Sequence, residues 1–110
     1  MLVNITGGNK HLRSLAHSLV EYCAEHLFSK NLKSKIILDI EFSKKLYKED
    51  GMLGEIDFDD SNHRPREFTI TVDCTGSKRT VMETIAHEMV HLKQYACLLY
   101  TSDAADDTPC

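Results

Sequence analysis

The sequence predicts an α+β fold: a helix, then a three-stranded, mostly antiparallel sheet, then a second helix. Three observations predict it. Apolar residues recur every three or four positions early in the chain, switch to strict alternation in the middle, and return to helical spacing after Gly76. The 110 residues suffice for one domain with a modest core and are too few for two. Hydrophobic residues make up 42% and charged ones 27%, the balance of a folded domain that is not disordered.

The first helix is expected from about Lys10 to Phe28. There Leu12, Leu15, Ala16, Leu19, Val20, Cys23 and Leu27 form an apolar stripe suited to packing on a core. "KIILDIEF" changes the period to two: Ile36, Leu38, Ile40 and Phe42 point one way, Asp39 and Glu41 the other. After a turn marked by Gly51 and Gly54, Ile56 and Phe58 alternate with Glu55, Asp57 and Asp59 in a short second strand. "REFTITVDC" alternates Phe68, Ile70, Val72 and Cys74 with Thr69, Thr71 and Asp73. Three strands with one wet face predict an antiparallel sheet with helices on its other face. Gly76 and Ser77 end the strands, and Thr80 with Glu83 fits a capping box. The second helix then runs from about Ser77 past Tyr95, with Val81, Ile85, Met89 and Leu92 as its core face.

Several function classes are excluded. The longest strongly apolar run, "IILDI", is far short of the roughly 20 residues that span a bilayer. "MLVNITGGNK" lacks the basic start, apolar stretch and cleavage site of a secretory signal, so a cytoplasmic location is expected and the sequon at Asn4 is disregarded. Cys23, Cys74, Cys97 and Cys110 form no CxxC pair and are expected to be reduced thiols. The formal charge is −4, and Asp103, Asp106 and Asp107 all lie in the last stretch, so bulk electrostatics names no partner.

Chemistry concentrates in "HEMVH". His87 and His91 are four apart on the second helix, so two imidazole nitrogens project from one face and can each reach one ion at about 2.0 to 2.1 Å. Glu88 lies about 100° around the helix, close enough to take a proton from water held by that ion without being a ligand. Zn2+ would lower the pKa of that water towards about 7 and polarise a carbonyl, which makes peptide-bond hydrolysis the expected reaction.

Other residues are weaker candidates. His63 lies in a loop, and His11, His17 and His26 belong to the first helix as surface or boundary residues. Tyr95 continues the line of His87 and His91 and has two readings, oxyanion stabilisation and packing, of which packing is preferred. Glu83 could orient His87, although capping accounts for it equally. Lys30, Lys33 and Lys35, then Lys44, Lys45 and Lys48, form basic clusters that could meet phosphates, but they lack interleaved aromatics and read more simply as solvated faces.

"TVMETIAHEMVHLKQYA" resembles the active-site helix of SprT-like zinc metallopeptidases, especially the small phage and bacterial ones, and "DDSNHRPREFTITVD" resembles the strand segment before it. The resemblance covers about Ile36 to Ala96. It implies a minimal zincin-like fold, a polypeptide substrate lying extended along an edge strand, His87 and His91 as Zn2+ ligands and Glu88 as catalytic base. Phe68 to Val72 is the expected edge, since strand addition binds a peptide through main-chain hydrogen bonds. Some relatives act on DNA-bound proteins, so DNA association is a further implication of the resemblance alone.

One departure from the family pattern stands out. The third protein ligand, a Glu or His well downstream of the second His, is missing, so this chain is expected to bind zinc weakly and to hydrolyse poorly or be inactive as it stands. "CLLYTSDAADD" back-translates, with one permitted set of codons, into DNA resembling a transposon mosaic end and sequencing-library adapter. The expectation is therefore an incomplete metallopeptidase domain over residues 1–96 followed by an adapter-derived tail over 97–110. The competing reading is a non-catalytic peptide- or DNA-binding module of zincin shape. Substrate, cleavage specificity and oligomeric state are not legible.

Overall fold

The computed structural model describes residues 1–58 and 66–98. Leu2–Thr6 is a strand, β1, that hydropathy does not announce, because only Val3 and Ile5 turn inward and both are half-buried. Beyond it come helix α1 (Lys10–Leu27), a short helix α2 (Lys30–Lys33), strand β2 (Ile37–Ser43), a short helix α3 (Leu46–Asp50), strands β3 (Gly54–Phe58) and β4 (Glu67–Asp73), and helix α4 (Lys78–Leu98). The α+β class holds.

The sheet has four strands in the order β1-β2-β4-β3, with β1 parallel to β2, β2 parallel to β4, and β3 antiparallel to β4. This corrects the expected three-stranded, mostly antiparallel sheet. The reason is topological: α1 carries the chain back over the sheet between β1 and β2, as a parallel pairing demands. The excursion through α3 and β3 then lets β4 enter beside β2, leaving β3 on the outside.

The turn from β1 to α1 is built for tight passage. Gly7 has φ of +83°, and a Cβ there would lie 2.6 Å from the Phe42 carbonyl oxygen. Arg13 Nη1 donates to the Gly7 and Gly8 carbonyls at 2.9 and 3.1 Å, and Asn9 Oδ1 caps α1 by accepting from Leu12 N at 2.8 Å. Leu12, Ala16, Val20 and Ala24 then form a buried stripe.

That stripe meets Val81, Ile85, Met89 and Leu92 of α4, and both helices cover Leu38, Ile40, Phe68, Ile70 and Val72 on one face of the sheet. The other face carries the polar alternates, Asp39 and Glu41 on β2 and Thr69 and Thr71 on β4. The two long helices thus lie on one side of the sheet, as the alternation predicts. Among the described residues no helix is long and apolar enough to cross a membrane.

Asp73 ends β4 and is buried. Its Oδ1 accepts from the Thr75 hydroxyl and, at 2.9 Å, from Thr75 N, while Oδ2 accepts from Tyr47 N at 2.8 Å in the first turn of α3. The Thr75 hydroxyl, then the Tyr47 and Thr75 amides, hold this carboxyl below its ordinary 3.8 against the opposing effect of burial. A depressed folded pKa gives stability that is present above 3.8 and lost as pH falls through the lower, folded value. Asp73→Ala is expected to cost about 1–3 kcal/mol at pH 7 by orphaning two amides. In urea unfolding the gap from the unsubstituted chain should narrow below that pH, and a gap constant with pH would refute the carboxylate's role.

Candidate active site

Helix α4 is opened by Ser77, whose Oγ accepts from Thr80 N at 3.1 Å and whose carbonyl accepts from Val81 N at 3.0 Å. The cap therefore sits one turn before the expected Thr80 to Glu83 box. Glu83 instead pairs with Arg79 Nε at 3.2 Å, an exposed i,i+4 contact. With Val81, Ile85, Met89 and Leu92 locked in the core, helical periodicity sets the direction of the remaining side chains.

His87 and His91 come together. Their Nε2 atoms are 3.0 Å apart, and the rings meet edge to face with centroids 4.5 Å apart. Two nitrogens bound tetrahedrally to one ion at about 2.0–2.1 Å would be about 3.3–3.4 Å apart, so the pair needs to open by only a few tenths of an ångström. Gln94 Oε1 lies 3.3 Å from His91 Nδ1. A proton on that Nδ1 donates to the amide oxygen and leaves Nε2 with its lone pair facing His87, the arrangement that prepares a metal ligand.

Glu88 is 7% exposed. Among the described residues its carboxylate makes no hydrogen bond and no ion pair. A buried polar group in that condition points to a water, an ion or a reacting group that completes it. Gly54 at the start of β3 makes the burial feasible. A Cβ built on Gly54 would lie 2.5 Å from Thr84 Cγ2 and 3.3 Å from Glu88 Oε2. Thr84 cannot easily turn away, since its hydroxyl donates to the Thr80 carbonyl at 2.8 Å. Gly54 is thus the contact that lets α4 lie against β3.

A groove of about 450 Å³ opens here, walled by Met52, Leu53 and Gly54 on one side and Thr80, Thr84, His87 and Glu88 on the other. Met52 and Leu53 are 38% and 45% exposed, an apolar rim. Tyr95 is half-buried, its ring 4.7 Å from Phe58 and 6.3 Å from His91. His11, His17 and His26 are exposed on α1. His26 Nδ1 lies 2.9 Å from the Tyr22 carbonyl, and His17 faces Glu21 at 3.9 Å. His63 lies outside the described residues, as does the tail from Leu99; α4 itself runs through Leu98, past the junction expected at Ala96. Cys23 and Cys74 are free thiols, and burial pushes the Cys23 thiol up.

Phe68 to Val72 is not an edge. It belongs to β4, which pairs on both sides, with β2 and with β3. The edge beside the histidine helix is β3, because the chain inserts β4 inside the strand that precedes it. Gly54 and Gln94 also escaped sequence reasoning. The legible signal for Gly54 was a glycine opening an alternating strand, a position that loses packing unless another element approaches closely. The basic clusters lie at opposite ends of β2, whose seven residues span about 20 Å, so they form no single patch.

Two imidazoles and one carboxylate supply two nitrogen donors and one base. Among the described residues no group of three or more His, Cys, Asp or Glu side chains is placed to hold a metal ion. No protein-family model matches the chain, and no curated protein or solved structure does either.

Proposed function

We propose that this chain carries the catalytic core of a zinc-dependent endopeptidase, with His87 and His91 as two zinc ligands and Glu88 as general base. The observation that carries the reading is the buried Glu88 carboxylate, without a partner among the described residues, on the same helix as two converging Nε2 atoms. Bound zinc supplies Lewis acidity towards a carbonyl oxygen and towards water. The chain's own residues do the rest. His87 and His91 would present their Nε2 atoms to the ion, Gln94 Oε1 is placed to accept from His91 Nδ1, and Glu88 would accept the proton of the attacking water and return it to the leaving amine.

The outer edge of β3 supports binding of an extended polypeptide. Among the described residues no strand pairs with that side. A peptide added there by main-chain hydrogen bonding would run past Gly54, directly over the groove that holds Glu88. The described residues supply two protein ligands where a catalytic zinc takes three, so with these alone zinc affinity and turnover are expected to be low. The free edge supports the second reading equally: a peptide-binding module that keeps the shape without the chemistry.

Zinc titration tests the site. At zinc about 100-fold above Kd, the ion should add about 2.7 kcal/mol of stability, a rise in thermal midpoint of roughly 10 °C or more. His87→Ala and His91→Ala should each remove the rise, whereas Glu88→Gln should retain it. No response to zinc or chelator in the unsubstituted chain would mean that the histidine pair is incidental.

A further inference from the structure

The reading of β3 as the substrate-binding edge leaves open which polypeptides it selects, and charge and register in the sheet narrow that choice. No Lys or Arg lies in any of the four strands. The exposed or half-buried charged side chains on the open face are all acidic, Asp39 and Glu41 on β2, Glu67 on β4 and Glu55 and Asp57 on β3. In register, Glu55 lies across Thr71 from Glu41, and Asp57 lies across Thr69 from Asp39.

Main-chain geometry fixes which β3 residues meet an added strand closely. Asp73 N donates to the Leu53 carbonyl at 2.8 Å, a pair that continues the β3–β4 register. Antiparallel ladders alternate, so Leu53, Glu55 and Asp57 turn their N–H and C=O groups to β4, whereas Gly54, Ile56 and Phe58 turn theirs outward. A strand pairing antiparallel with the outer edge therefore hydrogen-bonds at Gly54 and Ile56. It meets Glu55 and Asp57 at the non-hydrogen-bonded positions, where Cα atoms approach to about 4.5 Å and side chains are closest. Asp57 Oδ1 also accepts from Phe58 N at 3.0 Å, which holds that carboxylate at the outer edge.

A second observation points to a ligand in the groove beneath this edge. Glu88, more than nine-tenths buried and without a partner among the described residues, has Oε2 3.3 Å from where a Gly54 Cβ would be. An extended peptide has two faces. Its side chains on the α4 side enter the groove rimmed by Met52 and Leu53, and the alternate ones share the open face with Glu55 and Asp57.

We infer that the polypeptide recognised here is cationic in alternation: Lys or Arg at two positions two residues apart, facing Glu55 and Asp57, with uncharged residues between them facing the groove. This rests on the β3-edge reading, not on turnover. Opposite charges directly across two strands attract and like charges repel, and two such positions act together.

The test is binding of fluorescein-labelled six-residue peptides, alternating Val with Lys or Val with Glu, followed by anisotropy in the zinc-saturated Glu88→Gln chain. The Lys peptide should bind about tenfold more tightly than the Glu peptide at low salt. Glu55→Gln/Asp57→Asn should bring the ratio to about threefold or less, and Glu55→Lys/Asp57→Lys should invert it. Asp39→Asn/Glu41→Gln, two strands further away, should leave the ratio above fivefold. Equal binding of both peptides, binding of neither, or equal sensitivity to the β2 and β3 substitutions overturns the inference. A Lys preference that follows Glu55 and Asp57, found with no thermal response to zinc in the unsubstituted chain, upholds the inference and refutes the zinc-site reading alone.

Discussion

Replacing Glu88 by Leu is expected to raise the free energy of unfolding by about 1–3 kcal/mol and to abolish zinc-supported peptide hydrolysis. Glu88 as a whole residue is 7% exposed, and among the described residues its carboxylate has no hydrogen-bond partner. Folding takes it partly out of bulk water, and among the described residues no protein group replaces the lost hydrogen bonds, at a cost of up to that order. Leu is close in volume and carries no polar group, so the desolvation cost disappears while the side chain still fills the space beside Gly54. Glu88→Gln isolates the chemistry, because it keeps the shape and removes the base, and should lower turnover by about 10²–10⁴-fold. Urea unfolding measures the first effect, and cleavage of a quenched fluorescent peptide the second. If Glu88→Leu were destabilising by several kcal/mol, the carboxylate would be a structural group with partners of its own. Unchanged cleavage in Glu88→Gln would remove it from the mechanism.

Gly54→Ala carries the second large effect. Its Cβ would sit 2.5 Å from Thr84 Cγ2, too close to survive without movement. Thr84 can yield only by breaking the 2.8 Å bond from its hydroxyl to the Thr80 carbonyl or by pushing α4 off β3. An overpacked contact of this kind costs about 1–3 kcal/mol. Thr84→Ser removes the obstructing methyl and keeps the hydroxyl, so the pair should be coupled: Gly54→Ala should cost about 1 kcal/mol less, or better, in the Thr84→Ser background. Additive losses in the double-mutant cycle would show that the two residues do not meet. A displaced α4 would also shift Glu88 from the groove, so Gly54→Ala should depress turnover more than zinc affinity.

Both predictions depend on a contact that no short stretch of sequence contains, and the contrast with what was legible is instructive. The stripe Val81, Ile85, Met89, Leu92 was readable because helical burial repeats locally, and each of these residues is at most 1% exposed. HExxH was readable for the same reason: four residues bring His87 and His91 onto one face wherever the helix packs. Alternation found β2, β3 and β4, but alternation says which side chains share a face and is silent about which strand lies alongside. The placement of β4 between β2 and β3, and with it the identity of the edge, depends on pairings between residues some 30 positions apart, such as Leu38 with Phe68. β1 escaped because an edge strand with only Val3 and Ile5 half-buried needs little hydropathy.

The order of elements along the chain also has a kinetic consequence. α4 follows every strand, and it packs against α1, some 60 residues earlier, as well as against β3 and β4. Until it docks, Leu38, Ile40, Ile70 and Val72 lack half their cover, and a partly formed chain presents an apolar sheet face prone to self-association. Docking of such a long-range partner is slow compared with forming the helix itself. The same step that closes the core drives Glu88 against Gly54, so the barrier to folding includes dehydrating the group proposed to do the chemistry. Closure of the core and assembly of the reactive centre thus share one docking contact, and a chain with α4 undocked would have neither.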